Sequence, residues 1–216
     1  MSEPVRSETS SSRVRRVIRE AEDLFLQEGF LHFSTDDLAR RLRCSKRTIY
    51  KVAPDRNQFF ECIISRHLLR LNENMFAAAE AATDWMSALR AILDAIIRTF
   101  GPESTKFVRD IMRFPGGVRL SRETETARID LLQRVIAAGI AAGTFRKVNP
   151  TVAAYAMHGA ARRLSEDDFL AGTRITWNEA MAELFKLVSD GLRAEDKPAN
   201  PRRTARKSSA PRGTFD

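Results

Sequence analysis

The chain has 216 residues, 43% of them hydrophobic, and a formal net charge of +8. This length accommodates one small domain and one larger domain with its own core. No run of about 18 apolar residues occurs, so we expect no membrane span, and the lack of an apolar N-terminal core predicts a cytoplasmic protein.

The positive charge is unevenly distributed along the chain. Of the net charge of +8, +5 belongs to residues 197–216, which contain six Lys or Arg and one Asp, and +3 belongs to the rest. The overall charge is therefore weak support for a body that binds nucleic acid. Local density is more informative, because residues 36–56 hold seven Lys or Arg against three Asp.

The first third of the chain predicts three helices behind an irregular arm. Residues 1–12 are rich in Ser and Glu and predict a disordered arm. Apolar residues at helical spacing over positions 14–25 predict the first helix. Two short helices follow: Ser34 and Asp37 fit the capping box of one, and Ser45 can cap the other.

The two short helices fit a helix-turn-helix, which delivers its second helix to the major groove of DNA. Ile49 is the expected buried anchor of that helix, and its other side chains are mostly basic or hydroxylic. Such side chains bind phosphates, and Arg can also pair bidentately with guanine. The residues predicted to contact DNA are Ser34, Thr35, Arg43, Ser45, Lys46, Arg47, Thr48, Tyr50, Lys51 and Arg56. A solvated helix with ordinary surface charge is the alternative, which the agreement of caps, turn and charge disfavours.

Residues of one known pattern run through this stretch. They are Ile18, Ala21, Leu24, Phe25, Gly29 and Phe30, then Leu38, Ala39 and the segment 45–50, then Asp55, Arg56, Phe59 and Phe60. On these residues, positions 14–60 resemble the TetR family of bacterial transcriptional repressors. The resemblance implies a DNA-binding head, a helical body with a small-molecule pocket, and a homodimer.

Three departures from the family pattern concern DNA preference more than the fold. Arg43 stands where the family often has Gly, so a positive φ there would strain the backbone. Arg47 replaces a frequent Gly and adds a long donor at the DNA-facing start of the helix. Val52 and Ala53 replace a common His-Phe pair.

The rest of the chain predicts successive helices. The expected helices begin at Asp55, at Thr83 or Asp84, ahead of Phe107, at residue 121, at Asn149-Pro150, and near Thr173 or Thr176, with a break at Pro115-Gly116-Gly117. The sequence thus predicts an all-α protein of about nine helices. Its expected parts are the arm at 1–12, a three-helix helix-turn-helix DNA-binding domain at 13–60, a helical regulatory and dimerisation body at 61–194, and a disordered basic tail at 195–216.

The last two predicted helices are candidates for a dimer interface. Residues 150–164 are rich in Ala, and the final helix has apolar residues on more than one side, as if a partner covered one of them. The resemblance implies a four-helix homodimer interface here, and a large monomer core is the alternative. The candidate interface residues are Tyr155, Gly159, Trp177, Met181, Leu184, Phe185 and Val188.

Met and aromatic side chains supply candidates for the pocket that the resemblance implies. They are Met75, Phe76, Trp85, Met86, Phe100, Phe107, Met112 and Phe114. At helical spacing the same residues also suit a plain core. No buried charge cluster is evident, which favours an apolar or amphipathic effector of unidentified structure.

We expect no cofactor, metal site or enzymatic activity. Cys44, Cys62 and the three histidines lack metal-ligand spacing, and no nucleophile–base pair is visible. The predicted function is a homodimeric transcriptional repressor that a small-molecule effector releases from its operator. The alternatives are a nonspecific DNA-binding or scaffolding protein that uses the basic tail, and an all-helical enzyme.

Overall fold

Ten α-helices and no strand make up the part of the chain that the computed structural model describes, residues 4–101 and 104–194. They are α1 (Pro4–Glu28), α2 (Thr35–Arg41), α3 (Lys46–Tyr50), α4 (Arg56–Glu80), α5 (Trp85–Phe100), α6 (Thr105–Arg113), α7 (Pro115–Ala141), α8 (Pro150–Leu164), α9 (Asp167–Gly172) and α10 (Trp177–Leu192). The predicted all-α class is confirmed. The additional helix is α9, which is not among the helices expected from the sequence. The predicted basic tail lies outside the described residues.

Helix α1 begins at Pro4, so residues 4–12 are helical where the sequence predicted an irregular arm. Pro at the first position of a helix loses no hydrogen bond, because that N–H has no partner within the helix. Polar residues then extend the helix at low cost, since each adds one hydrogen bond to an existing nucleus.

The head is built around a cluster of phenylalanines at the junction of α1 and α4. Phe25, Phe30, Phe59 and Phe60 are fully buried, and the rings of Phe25 and Phe60 meet edge to face with centroids 5.5 Å apart. Ile49 is also fully buried and anchors α3 beneath α1. One side of α3 is thereby fixed to the head while the other faces solvent.

Helix α4 connects the head to the body without a break. It is capped by Asp55, whose side chain accepts a hydrogen bond from the backbone N–H of Gln58 at 2.8 Å. Its first turns pack in the head, and from Ile63 to Met75 it packs against α5 and α7 of the body. The domain boundary expected after residue 60 therefore lies inside a continuous helix, through which a displacement in the body can reach the head.

Helix α7 begins at Pro115, six residues before the expected position at 121. The Pro-Gly-Gly segment was predicted to be a break, but it forms the first turn of the helix. A Cβ on Gly117 would lie 2.5 Å from the carbonyl oxygen of Ile111, so Gly lets α6 approach that turn closely. The prediction was wrong because this glycine serves a contact between two helices.

Within the described residues, no helix combines the length and the apolar composition that a membrane crossing requires.

Candidate nucleic-acid interface and body cavity

The two short head helices are held in place by the predicted caps. The N–H of Asp37 donates to the Ser34 hydroxyl oxygen at 3.1 Å, and the N–H of Ser34 donates back to the Asp37 carboxylate at 3.1 Å. Hydrogen bonds from Ser34 lower the pKa of Asp37. The N–H of Thr48 donates to the Ser45 hydroxyl at 3.2 Å. Both caps are confirmed, and they fix where α2 and α3 begin.

The turn between α2 and α3 contains a residue in the left-handed region. Arg43 has a φ of 46°, the only positive φ at a non-glycine residue in the described chain. The N–H of Cys44 donates to the Ala39 carbonyl at 2.9 Å and the N–H of Arg43 to the Arg40 carbonyl at 3.3 Å. This double closure is a Schellman motif.

The same motif ends α7, where Gly143 with a φ of 75° occupies the equivalent position. A side chain in the left-handed region costs about 1 kcal/mol, which Gly avoids. The strain expected at Arg43 is therefore present, and the long side chain is exposed at the edge of the turn.

Most of the residues predicted to contact DNA share one exposed surface. Ser34, Arg43, Ser45, Lys46, Arg47, Tyr50, Lys51 and Arg56 are exposed, and Thr35 is half-buried. Lys46 pairs with Asp36 at 2.6 Å. The side chain of Arg47 makes no hydrogen bond or ion pair within the part of the chain that the structure describes. This surface, formed by α3 and the adjoining ends of α2 and α4, is called the α3 face below.

Thr48 differs from its predicted outward position. Its side chain is 6% exposed, and its hydroxyl lies 3.0 Å from that of Ser45. It stands in the first turn of α3, where it supports the cap. Arg56 is exposed, and its guanidinium packs over the Phe60 ring, 5.3 Å from the ring centroid.

Helix α1 adds basic groups that the sequence reasoning missed. Arg13 and Arg16 line a recess together with Arg40 and Arg43, and no acidic side chain lines it. The signal was visible as a run of arginines at helical spacing. These arginines were not among the predicted contacts, because only the fold brings α1 next to the turn.

The body contains a partly open cavity of about 180 Å³ between α4, α5, α6, α7, α8 and α10. Its wall is mostly apolar. Three predicted pocket residues line it, Met75, Phe100 and Met112, together with Trp177, Met181 and Phe185 of α10.

The other predicted pocket residues lie elsewhere. Phe76 and Trp85 line a separate surface groove, and Phe76 carries the guanidinium of Arg134 at 5.5 Å from its ring centroid. Phe107 and Phe114 belong to the core at the head–body junction, where each ring packs against Phe30. Met86 is half-buried outside the cavity lining.

One corner of the cavity is polar, contrary to the expectation of no buried charge cluster. Arg128 donates to the side-chain oxygen of Asn72, to the hydroxyl of Thr124 and to the carbonyl of Ser121, each at 3.1 Å. Burial lowers the pKa of Arg128 to about 10.

Helix α8 completes this polar corner. His158 Nε2 lies 3.1 Å from the Glu125 carboxylate, and Arg162 approaches the same carboxylate at 3.7 Å. Burial lowers the pKa of His158, although the hydrogen bond with Glu125 raises it. The sequence shows the spacing of these residues within each helix, but it does not show that α7 packs against α8.

The dimer candidates divide between two sides of α10. Trp177, Met181 and Phe185 are buried in the same chain, and the indole N–H of Trp177 donates to the Ser165 hydroxyl at 2.8 Å. These three residues therefore face the cavity and do not belong to an outer face. Leu184 and Val188 are half-buried, while Tyr155 and Gly159 of α8 are exposed.

Two large apolar side chains that were not predicted join Tyr155 on the outside. Val152 is 64% exposed, Tyr155 59% and Leu187 72%. Together these three residues of α8 and α10 are called the outer α8–α10 face. On α10, Leu187 is therefore an exposed apolar side chain, and it is not among the residues predicted for the interface.

Two polar contacts connect the body to α1. Asp110 of α6 accepts hydrogen bonds from the backbone N–H groups of Phe30 and Leu31. Glu22 of α1 is buried and lies 2.8 Å from Nδ1 of the fully buried His67 of α4. The His67 ring in turn packs edge to face against that of the cavity residue Phe100, with centroids 4.8 Å apart.

Comparison with known proteins identifies the head and the overall fold. Residues 17–63 match the family model of bacterial regulatory proteins, tetR family. A transcriptional regulator of Saccharomonospora viridis, in complex with choline, is 17% identical with a TM-score of 0.70, over 85% of this chain and 98% of that one.

Two further solved structures share this fold. PfmR of Thermus thermophilus, a TetR family transcriptional regulator, is 22% identical with a TM-score of 0.57, over 82% of this chain and 98% of that one. AibR, in complex with isovaleryl coenzyme A and operator DNA, is 18% identical with a TM-score of 0.56, over 81% of this chain and 97% of that one. Among curated proteins no significant match was found.

Proposed function

We propose that the chain is a homodimeric repressor of the TetR family of bacterial transcriptional regulators, whose family model matches residues 17–63, and that a small molecule releases it from its operator. The observation that carries the proposal is the presence of an exposed basic helix and a mostly apolar cavity on opposite ends of one continuous helix, α4. The first supplies binding to DNA, and the second supplies a site for an effector.

The α3 face is the proposed DNA-binding surface. Arg47 is the proposed base reader, because it is exposed with no partner in the described chain and a guanidinium pairs well with guanine. Phosphate contacts are proposed for Ser34, Thr35, Arg43, Ser45, Lys46, Tyr50, Lys51 and Arg56. Thr48 supports the cap of α3 and is left out of the contact set.

A homodimer is proposed through the outer α8–α10 face. Large apolar side chains clustered on a surface mark an interaction site more often than scattered ones do. A two-fold partner would cover the Tyr155 and Leu187 side chains of both copies. Two heads would then read two half-sites separated by one or more turns of the DNA helix, in the cytoplasm where the operator lies.

Release is proposed to follow from a shift in population between two body conformations. An effector in the cavity contacts the walls that carry Phe100 and the α6 residue Ile111. Phe100 packs on His67, which is bonded to Glu22, and the neighbour of Ile111 is Asp110, which is bonded to the end of α1. Movement of either wall would change the position of α1 and with it the spacing of the two heads.

The test is a binding titration of the full chain against DNA from upstream of its own gene and against random DNA of equal length. A repressor should prefer one site by about 10³-fold or more at physiological salt. A ratio near one would instead support nonspecific DNA binding. Deleting residues 197–216 is the control for the basic tail: it should reduce the salt dependence and leave the site preference intact.

A further inference from the structure

The charges at the polar corner of the cavity do not balance. Arg128 and Arg162 are cations, Glu125 is the one carboxylate that lines the cavity within the described residues, and burial lowers the pKa of His158 and so favours the neutral imidazole. Glu125 is already shared between His158 and Arg162. Counting the half-exposed Arg162, the corner therefore carries an excess of one positive charge.

Arg128 is bonded to neutral groups throughout. Its acceptors are an amide oxygen, a hydroxyl and a backbone carbonyl, on Asn72, Thr124 and Ser121. These occupy three of its five N–H groups and do not compensate its charge. Burial lowers the pKa of Arg128, and the nearby Glu125, which raises it, is a carboxylate that His158 and Arg162 share. An anion that enters the cavity would therefore offset part of the cost of burying this guanidinium.

The volume of the cavity limits the part of a ligand that it can hold inside the body. Its volume of about 180 Å³ is slightly above the roughly 150 Å³ of an engineered apolar cavity that binds benzene. Leu71, Ile92 and Phe100 form walls that suit a ring or a short hydrocarbon chain. A quaternary ammonium of similar size would meet two guanidinium groups and a carboxylate that already has partners.

We propose that the cavity binds an organic anion, an aromatic or short-chain carboxylate whose head pairs with Arg128 while its apolar body fills the space beside Phe100. The inference depends on the proposed role of the cavity as the effector site and adds the chemical class of the effector. The carboxylate can accept two N–H bonds from a guanidinium in the bidentate arrangement that such pairs favour.

The experiment uses three compounds of nearly equal shape and different charge: benzoate, benzamide and benzamidinium. Calorimetric titration of the full chain should show benzoate binding about tenfold or more tighter than benzamide, since charge-assisted hydrogen bonds are roughly twice as strong as neutral ones. Hexanoate and hexanamide repeat the comparison with a chain in place of the ring. Equal affinity of acid and amide, tighter binding of benzamidinium, or no binding of either acid up to millimolar concentration would overturn the proposal.

Two variants locate the anion. Arg128→Met should reduce benzoate affinity to that of benzamide, and Arg128→Lys, which keeps the charge, should retain part of the preference. Arg134→Met is the matched control, because Arg134 lies on the same helix over Phe76, outside the cavity. An Arg128→Met protein that still prefers benzoate would place the anion elsewhere and refute the assignment.

DNA titrations with the same compounds separate this inference from the proposed function. If benzoate binds through Arg128 without changing operator affinity, the anion site is supported, but its role as the effector site is refuted. If benzamide or benzamidinium releases the protein from its operator and benzoate has no advantage, the proposed repressor function is supported and the proposal of an anionic effector is refuted. If the protein without ligand binds operator DNA no more tightly than random DNA, the proposed function itself is refuted.

Discussion

The carboxylate of Asp110 in α6 accepts a hydrogen bond from the backbone N–H of Phe30 at 2.5 Å, two residues beyond the end of α1. The same oxygen accepts a second bond from the N–H of Leu31 at 3.0 Å. The next residue, Ile111, lines the cavity. One side chain thus links a cavity wall to the exit of the first head helix.

Replacing Asp110 by Ala should weaken both the fold and the response to ligand. The change removes a charged acceptor and leaves two N–H groups without it, which should cost about 1.5–3 kcal/mol of unfolding free energy. The ratio of operator affinities without and with effector should fall toward one. Denaturant unfolding and DNA titration measure the two effects. Asp130→Ala, at an exposed carboxylate of α7, is the control, and an unchanged affinity ratio in the Asp110 variant would argue against this link.

Replacing Arg43 by Gly should stabilise the protein while weakening DNA binding. Gly removes the cost of a left-handed side chain, about 1 kcal/mol, and the greater freedom of Gly in the unfolded chain offsets part of that gain. The lost guanidinium should lower operator affinity and reduce its salt dependence. Gly143→Ala, at the equivalent position of α7, should be destabilising and leave DNA affinity unchanged. A less stable Arg43→Gly protein would show that the Arg side chain contributes to the fold.

The features that could be predicted from the sequence depend on contacts a few residues apart. The capping box of Ser34 and Asp37, the cap at Ser45 and the turn at Arg43 all close within five residues of the chain. Apolar spacing likewise located Ile49 in the head core. The head could therefore be recognised from local residue types alone.

The features that could not be predicted depend on which helices meet. The start of α7 depends on Gly117 facing Ile111 of another helix. The polar corner needs Glu125 of α7 to lie beside His158 of α8. Helical spacing shows that a residue is on the apolar side of its helix, but not whether that side faces a cavity, the core or a second chain.

Replacing Arg47 by Ala should change sequence preference as well as affinity. If Arg47 pairs with a guanine, the loss should be about 1–3 kcal/mol at one base position and small at the others. Titration against a set of operators with single base changes gives this profile. Lys46→Ala is the comparison, because a phosphate contact should weaken binding evenly and lower the salt slope by about one. An equal loss of affinity for every operator would show that Arg47 contacts the DNA backbone and not a base.

Replacing Tyr155 by Glu should separate the proposed dimer. Each copy would place a carboxylate at the outer α8–α10 face, and the dimer dissociation constant should rise by roughly tenfold or more. Light scattering after size exclusion measures the mass, and operator affinity should fall because the two heads no longer act together. Leu69→Glu, at a leucine of α4 that is 52% exposed, is the control for adding charge at an apolar surface position. Unchanged mass in the Tyr155 variant would exclude this face.

The stability of the protein should fall as the pH drops below the ordinary pKa of histidine, in part because of His158. Burial holds the pKa of His158 below 6.5, and its neighbours Arg128 and Arg162 lower it further, while Glu125 raises it. The unfolded chain therefore binds more protons than the folded chain between the two pKa values, and unfolding free energy falls with pH in that interval. The contribution is complete above about pH 6.5, the unfolded value. Denaturant unfolding of the His158→Gln protein should show a shallower decline between pH 7 and pH 5. Equal slopes for the two proteins would mean that the His158 ring is protonated as readily in the folded chain as in the unfolded one.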